Sequence, residues 1–218
     1  MKKAKLFFEI LDKKRQALLP KLEFLRKEYG FYLAGGTALA LQIGHRTSAD
    51  FDFYTEKEFD NQRLLVSSQE RIEGLVVIQM PPNTLIVETP DEIEMSFFYY
   101  PYRLLKLPLR TQCVDIVSKE DIVAMKLIAI MQRGTMRDFI DLYFLMKEYP
   151  LGKVFRWTKQ KFPPFNPYVG LRALTYFQDA EKDLRQRRFR LLINVDWGVV
   201  KKEILKKVYD FKKEELEK

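Results

Sequence analysis

Residues 32–55 read YLAGGTALALQIGHRTSADFDFYT, and two short patterns within them decide how the chain folds. Gly35 and Gly36 stand where one apolar run, 31–34, ends and another, 37–43, begins. The first run suits a short buried strand, and the second suits a helix that exits at Gly44. Asp50-Phe51-Asp52-Phe53 then alternates polar with aromatic, the period of a half-buried strand. A strand, a glycine turn, a helix and a second strand are therefore expected from this one stretch.

Glycine at the joint lets the backbone approach a ligand, and the first N–H groups of the following helix are donors at the positive end of its dipole. With the Thr37 hydroxyl, Gly35 and Gly36 could cradle a phosphate. Taken alone, Gly-Gly-Thr reads first as a tight turn packing helix on strand. Asp50 and Asp52 shift that balance. Two residues apart on a strand, their carboxylates share one face roughly 6.5–7 Å apart, while Phe51 and Phe53 face a core. Like charges side by side repel and strands disfavour aspartate, a cost that a divalent cation removes. Mg²⁺ takes one or two carboxylates from a protein and completes its shell with phosphate and water. The bland alternative is a solvated aspartate pair on an edge strand.

Outward from this stretch, residues 3–29 set Leu6, Phe7, Ile10, Leu11, Leu18, Leu22 and Leu25 among charged residues at helical spacing, so one or two amphipathic helices open the chain. A polar helix near 56–72 follows. Three strands come next, LVVIQM (75–80), TLIVET (84–89) and EIEMSFFYYP (92–101), punctuated by Gly74, Pro81-Pro82-Asn83 and Pro90-Asp91. From DIVSKEDIVAMKLIAIM (115–131) the pattern is helical, with Ser118 and Asp121 spaced as a capping box, and a second helix runs to Pro150. A Lys-rich helix from about Val199 carries Ile204, Leu205, Val208 and Phe211 on one stripe. The expected class is α/β (α+β), a mixed, partly antiparallel sheet flanked by helices. We divide it into an α/β domain, 1–117, and a mainly helical domain, 118–218.

Composition narrows the function. The 47% apolar and 14% aromatic content supports a real core. No run approaches the roughly 18 uncharged apolar residues of a membrane span, and Glu9 and Asp12 break the opening apolar run, so a cytoplasmic protein is expected. One cysteine, Cys113, forbids an internal disulfide, and one histidine, His45, excludes chemistry that needs several imidazoles. A formal net charge of +8 suits a polyanionic partner such as a nucleotide or RNA.

Lys126 lies in a helix apolar on nearly every side, so its ammonium must snorkel outward or meet an anion, either a phosphate or a carboxylate from the next helix. On that helix Asp138 and Asp141 share a face, and Arg137 could pair with Asp141. The basic run RQRRFR (185–190) reads as a solvated loop that could also track RNA, and FFYYPY (97–102) as sheet packing rather than a base platform.

Apolar, Gly, Gly, Thr, twelve residues, then Asp, apolar, Asp, apolar resembles the signature of the nucleotidyltransferase superfamily. GGTALALQIGHRTSADFDFYT is more closely similar to the AbiEii/AbiGii-type nucleotidyltransferase toxins of bacterial abortive-infection and toxin–antitoxin systems. FFYYPYRLL, SKEDIVAMKLIAIMQRGTMRDFIDLYFLM and LRALTYFQDAEKD resemble the same family in the same order.

The resemblance implies a nucleotidyltransferase fold whose helical domain contributes to the active site, and a toxin that transfers NMP from an NTP to an acceptor hydroxyl. Its implied acceptor is RNA, with the tRNA 3′ end as candidate, its cofactor Mg²⁺ or Mn²⁺, and its partner a cognate antitoxin. By the same resemblance Asp50 and Asp52 are catalytic metal ligands, and Gly35, Gly36, Thr37, His45, Arg46 and Lys126 bind the nucleotide. His45 and Arg46 could equally steady their loop. Asp138 or Asp141 would organise Lys126 or the acceptor, the choice staying open, while Arg133, Gly134 and Arg137 could add phosphate contacts. Glu94 is the candidate third metal carboxylate, because Glu92 and Glu94 share one strand face and Met95 and Phe97 the other. Protein nucleotidylation, a kinase-like reaction, or a noncatalytic RNA- or protein-binding module on this fold are the alternatives.

Overall fold

The run before the glycines forms β1 (Tyr32–Leu33), and the aspartate stretch forms β2 (Phe51–Thr55), antiparallel to it with Leu33 opposite Phe53. Between them lies α3 (Gly35–Ile43), which ends on Gly44 at φ 66°, a left-handed position that glycine takes without steric cost. These elements belong to a computed structural model that describes residues 5–182 and 190–216, so RQRRFR lies outside the described residues except for Arg190. The chain divides into two compact units, 1–118 and 119–218.

In the first unit, two short helices, α1 (Lys13–Leu18) and α2 (Glu23–Glu28), precede β1. They are separated by a 3-10 turn at Leu19–Leu22 that carries Pro20 at its start. After β2, α4 (Asn61–Gln69) is shorter than the helix expected near 56–72. Asp60 sets its start by accepting N–H bonds from Gln62 and Arg63. The three expected strands follow as β3 (Val76–Gln79), β4 (Thr84–Glu88) and β5 (Glu94–Tyr99). Two strands of two residues each, β6 (Leu109–Arg110) and β7 (Asp115–Ile116), complete the sheet. They are too short to leave a periodic signal in the sequence.

The strand order is β3-β4-β5-β2-β1-β7-β6. β2 runs parallel to β5 and β1 parallel to β7, and the remaining neighbours are antiparallel, so the expected mixed sheet is what forms. Alternation divides its faces. Phe51, Phe53, Leu85, Val87, Met95 and Phe97 are fully buried on one side. Asp52, Tyr54, Glu94 and Phe98 are half-buried on the other. Glu92 does not share the strand face with Glu94: it sits in the preceding turn at φ 59°.

The second unit is helical: α5 (Lys119–Gln132), α6 (Met136–Glu148), α7 (Leu151–Lys161), α8 (Pro167–Leu174), α9 (Gln178–Lys182) and α10 (Trp197–Leu216). α5 packs on α6, α7 and α8, and α10 packs on the same three. Pro150, read in the sequence as a stop, is also the N-cap of α7, since its fixed φ near −60° suits a helix entry. On α10 the buried stripe is Val200, Ile204 and Val208, four residues apart, whereas Leu205 is 42% exposed. One residue is a rotation of about 100°, which carries Leu205 off the stripe assigned to it.

Candidate active site

The glycine turn and the aspartate strand are built against each other. Ala34 donates its N–H to the Asp52 carbonyl at 2.8 Å, closing the turn onto β2. Gly35 has φ +65°, and a Cβ placed on it would lie 2.5 Å from Asp52 Oδ2. A side chain there would be strained by the backbone and would push the Asp52 carboxylate aside. Asp52 is half-buried on the sheet face opposite Phe51 and Phe53, and Asp50, also half-buried, immediately precedes β2. Gly36 is in the first turn of α3. The N-cap, Ala34, makes no side-chain cap hydrogen bond, so the helix presents main-chain donors beside Asp52.

Thr37 departs from the expected phosphate role. It is 2% exposed, its hydroxyl bonds to the Asp50 carbonyl, and Ser48 Oγ is 2.7 Å away. The residue ties the start of α3 to the loop entering β2 and thereby fixes where Asp50 stands. His45 and Arg46 are likewise buried, and Arg46 Nη1 donates to the Thr47 carbonyl at 3.1 Å and to Ser48 Oγ at 3.4 Å. Of the two roles open for Arg46, steadying the loop is the one these contacts serve. Arg15 joins this scaffold unannounced. Its Nε donates to the Ala49 carbonyl at 2.6 Å, and the only hint in the sequence is Asp12 three residues earlier, which pairs with it.

Glu94 begins β5, two residues before Ser96, the register partner of Asp52, and lies on the same face. The structure does not gather a ready three-ligand cluster, however. Among the described residues no group of three His, Cys, Asp or Glu could hold a metal ion. Two carboxylates with the remaining positions left to phosphate and water is a normal Mg²⁺ environment, and the missing Cβ at Gly35 is what lets one of them, Asp52, lie against the turn.

In the helical unit, Lys126 meets carboxylates from the next helix, and it meets both. Its Nζ lies 2.9 Å from Asp138 Oδ1 and 2.7 Å from Asp141 Oδ2, with all three side chains buried. Asp138 Oδ2 accepts from Thr135 Oγ1 at 2.7 Å and from Arg133 Nε at 3.3 Å. Burial raises the pKa of the Asp138 carboxyl, but the charges of Lys126 and Arg133 and hydrogen bonds from Thr135 and Lys126 outweigh it and hold the group below its ordinary value. Thr135 is the N-cap of α6, a Thr-x-x-Asp spacing from which its part could have been read. A second buried pair, Lys161 with Asp121 at 2.8 Å, joins α7 to α5 and had no signal in the sequence.

Cys113 is no activated nucleophile. Burial raises its thiol pKa, opposite to what thiolate chemistry needs. Among the described residues no helix is long and apolar enough to cross a membrane.

A family model described as Nucleotidyl transferase AbiEii toxin, Type IV TA system, matches residues 17–116 and 89–211. The Aquifex aeolicus (strain VF5) protein aq_aa25 is 37% identical over 181 residues, which cover 80% of this chain and 86% of that relative. Among solved structures, JHP933 from Helicobacter pylori is similar with a TM-score of 0.61 at 19% identity, across 96% of this chain and 94% of its own. MenT4, a nucleotidyltransferase toxin from Mycobacterium tuberculosis H37Rv, reaches a TM-score of 0.51 at 16% identity, across 88% and 80%. At such identities these two structures speak for the fold.

Proposed function

Because the chain belongs to the AbiEii family of nucleotidyl transferase toxins of type IV toxin–antitoxin systems, we propose that it is a Mg²⁺-dependent enzyme moving an NMP from an NTP onto an RNA hydroxyl. The candidate acceptor is the 3′ end of tRNA. Nucleotidyl transfer comes with the family, as does a cognate antitoxin; the metal, the acceptor and the cytoplasm as its compartment are our reading.

One observation carries it. Because Gly35 lacks a Cβ, the Asp52 carboxylate packs directly against the glycine backbone at the start of a helix, so a carboxylate oxygen and main-chain N–H donors stand side by side. That pairing suits a metal-bound triphosphate. Asp50 and Asp52 are the residues that would hold Mg²⁺ or Mn²⁺, with Glu94 on the same face as the further candidate. When bound, the ion neutralises phosphate charge, favours the ionised acceptor hydroxyl and stabilises the leaving pyrophosphate.

The chain's own contribution is position and charge. Gly35 and Gly36 offer their N–H groups to phosphate oxygens. Thr37, Ser48, Arg46 and Arg15 hold the loop that sets Asp50. In the helical unit, Asp138 and Asp141 together hold Lys126. The acceptor oxygen forms a bond to the α-phosphorus in line with the breaking α–β bridge, pyrophosphate departs, and the hydroxyl proton is lost to solvent.

The test is incubation with each labelled NTP, Mg²⁺, and either total tRNA or protein extract, beside Asp52→Ala. We expect label on RNA from the wild type, a loss of at least about 10²-fold in the variant, and none in EDTA. Equal labelling by Asp52→Ala would sink the mechanism, and label confined to protein would move the acceptor.

A further inference from the structure

The face that carries Asp52 continues as a row of aromatic rings. Tyr54, two residues on, stacks with Tyr32 at 6.4 Å between centroids. It also packs 5.2 Å from Phe98 and 5.0 Å from Tyr100, and Tyr100 meets Tyr102 edge-on at 4.9 Å. The sheet register fixes this order. Tyr54 lies opposite Tyr32 on β1 and Phe98 on β5, as Asp52 lies opposite Ser96. Tyr100 keeps the ladder in step by donating its N–H to the Thr55 carbonyl at 2.8 Å.

Alternation has thus split the aromatic run FFYYPY. Phe97 goes to the core, while Phe98 and Tyr100 go to the face of the aspartates. Here exposure grows with distance from β1: Tyr32 is buried, Tyr54, Phe98 and Tyr100 are half-buried, and Tyr102 is 36% exposed. The following stretch, PYRLLKLPLR (101–110), exposes Arg103 and Lys106 and contains no acidic residue.

We propose that Tyr100 and Tyr102, backed by Tyr54, form a ledge on which the unpaired end of the acceptor RNA stacks its bases, with Arg103 and Lys106 tracking its phosphates. The proposal rests on the RNA-modifying reading of the Asp52 site. Stacking on aromatic side chains beside cations is how single strands are held with little sequence preference. A row of rings flanked by more than one cation suits a strand with several bases and phosphates better than a single NTP base. Tyr100 stands two strand repeats past the level of Asp52, roughly 13–14 Å. Tyr54, one repeat away, is already enclosed by Tyr32, Phe98 and Tyr100.

Two measurements test it with the full chain. In NMP transfer to tRNA, Tyr102→Ala should raise KM for RNA about tenfold, the effect of one lost stacking contact, with Tyr102→Trp restoring it and KM for the NTP unmoved. An unchanged KM for RNA, or a shift in KM for the NTP instead, overturns the ledge. In fluorescence anisotropy with a labelled single-stranded RNA of about ten nucleotides, within the usual site sizes, Tyr102→Ala should bind about tenfold more weakly than wild type. Equal binding overturns the ledge whatever the enzyme labels. A wild type that labels no RNA but binds the oligonucleotide through Tyr102 refutes the acceptor reading alone. Thermal melting of each variant separates lost stacking from lost fold.

Discussion

A methyl group added at Gly35 would lie 2.5 Å from Asp52 Oδ2, on a residue whose φ of +65° already excludes most side chains. Gly35→Ala should therefore displace the carboxylate as well as strain the turn. A shift of about 1 Å at such a group lowers turnover on the order of 10²-fold, and the backbone cost is about 1–2 kcal/mol. Transfer assays and urea melts measure the two effects, and near-wild-type turnover would mean that Asp52 need not stand where it does. Asp138 gives a prediction in pH. Its folded pKa is depressed, so its share of stability is complete above the ordinary carboxylate range and is lost as pH falls through that range toward the folded pKa. Asp138→Asn should be less stable than wild type at pH 7, with the gap closing below about pH 4. Urea midpoints at both pH values check this, and a constant gap would show that the ion pair is not kept in solution.

At the scale of elements, α3 and β2 were legible because their signals are local. A glycine turn, an apolar helix with a glycine exit and a period of two each depend on neighbouring residues. α10 shows where that reading weakens. Apolar residues one position apart stand about 100° apart around a helix, and only packing on α6, α7 and α8 selects Val200, Ile204 and Val208 over Leu205. Ile204→Ala should cost about 2–5 kcal/mol by leaving a cavity, while Leu205→Ala should stay within about 0.5 kcal/mol. Urea denaturation of both variants decides it, and equal losses would place Leu205 in the core. β6 and β7 were illegible for another reason: strands of two residues exist only by pairing with others.

Across the whole molecule, the sequence by itself determined the α/β class, the order of the main strands and helices, and the family, all through short-range pattern. It also determined that Asp52 faces away from Phe51 and Phe53, because side-chain alternation is a property of extended backbone. Partnership was decided only by tertiary structure. Lys126 could have met phosphate or carboxylate, and the fold gives it Asp138 and Asp141 from the next helix. Lys161 finds Asp121 forty positions away. Thr37, a hydroxyl read as a ligand for phosphate, is turned instead onto the Asp50 carbonyl. The reason is common to all three. A buried polar group must be satisfied by whatever the packed chain brings within about 3 Å, and that neighbour is set by how elements pack, a relation that no local pattern in the sequence encodes.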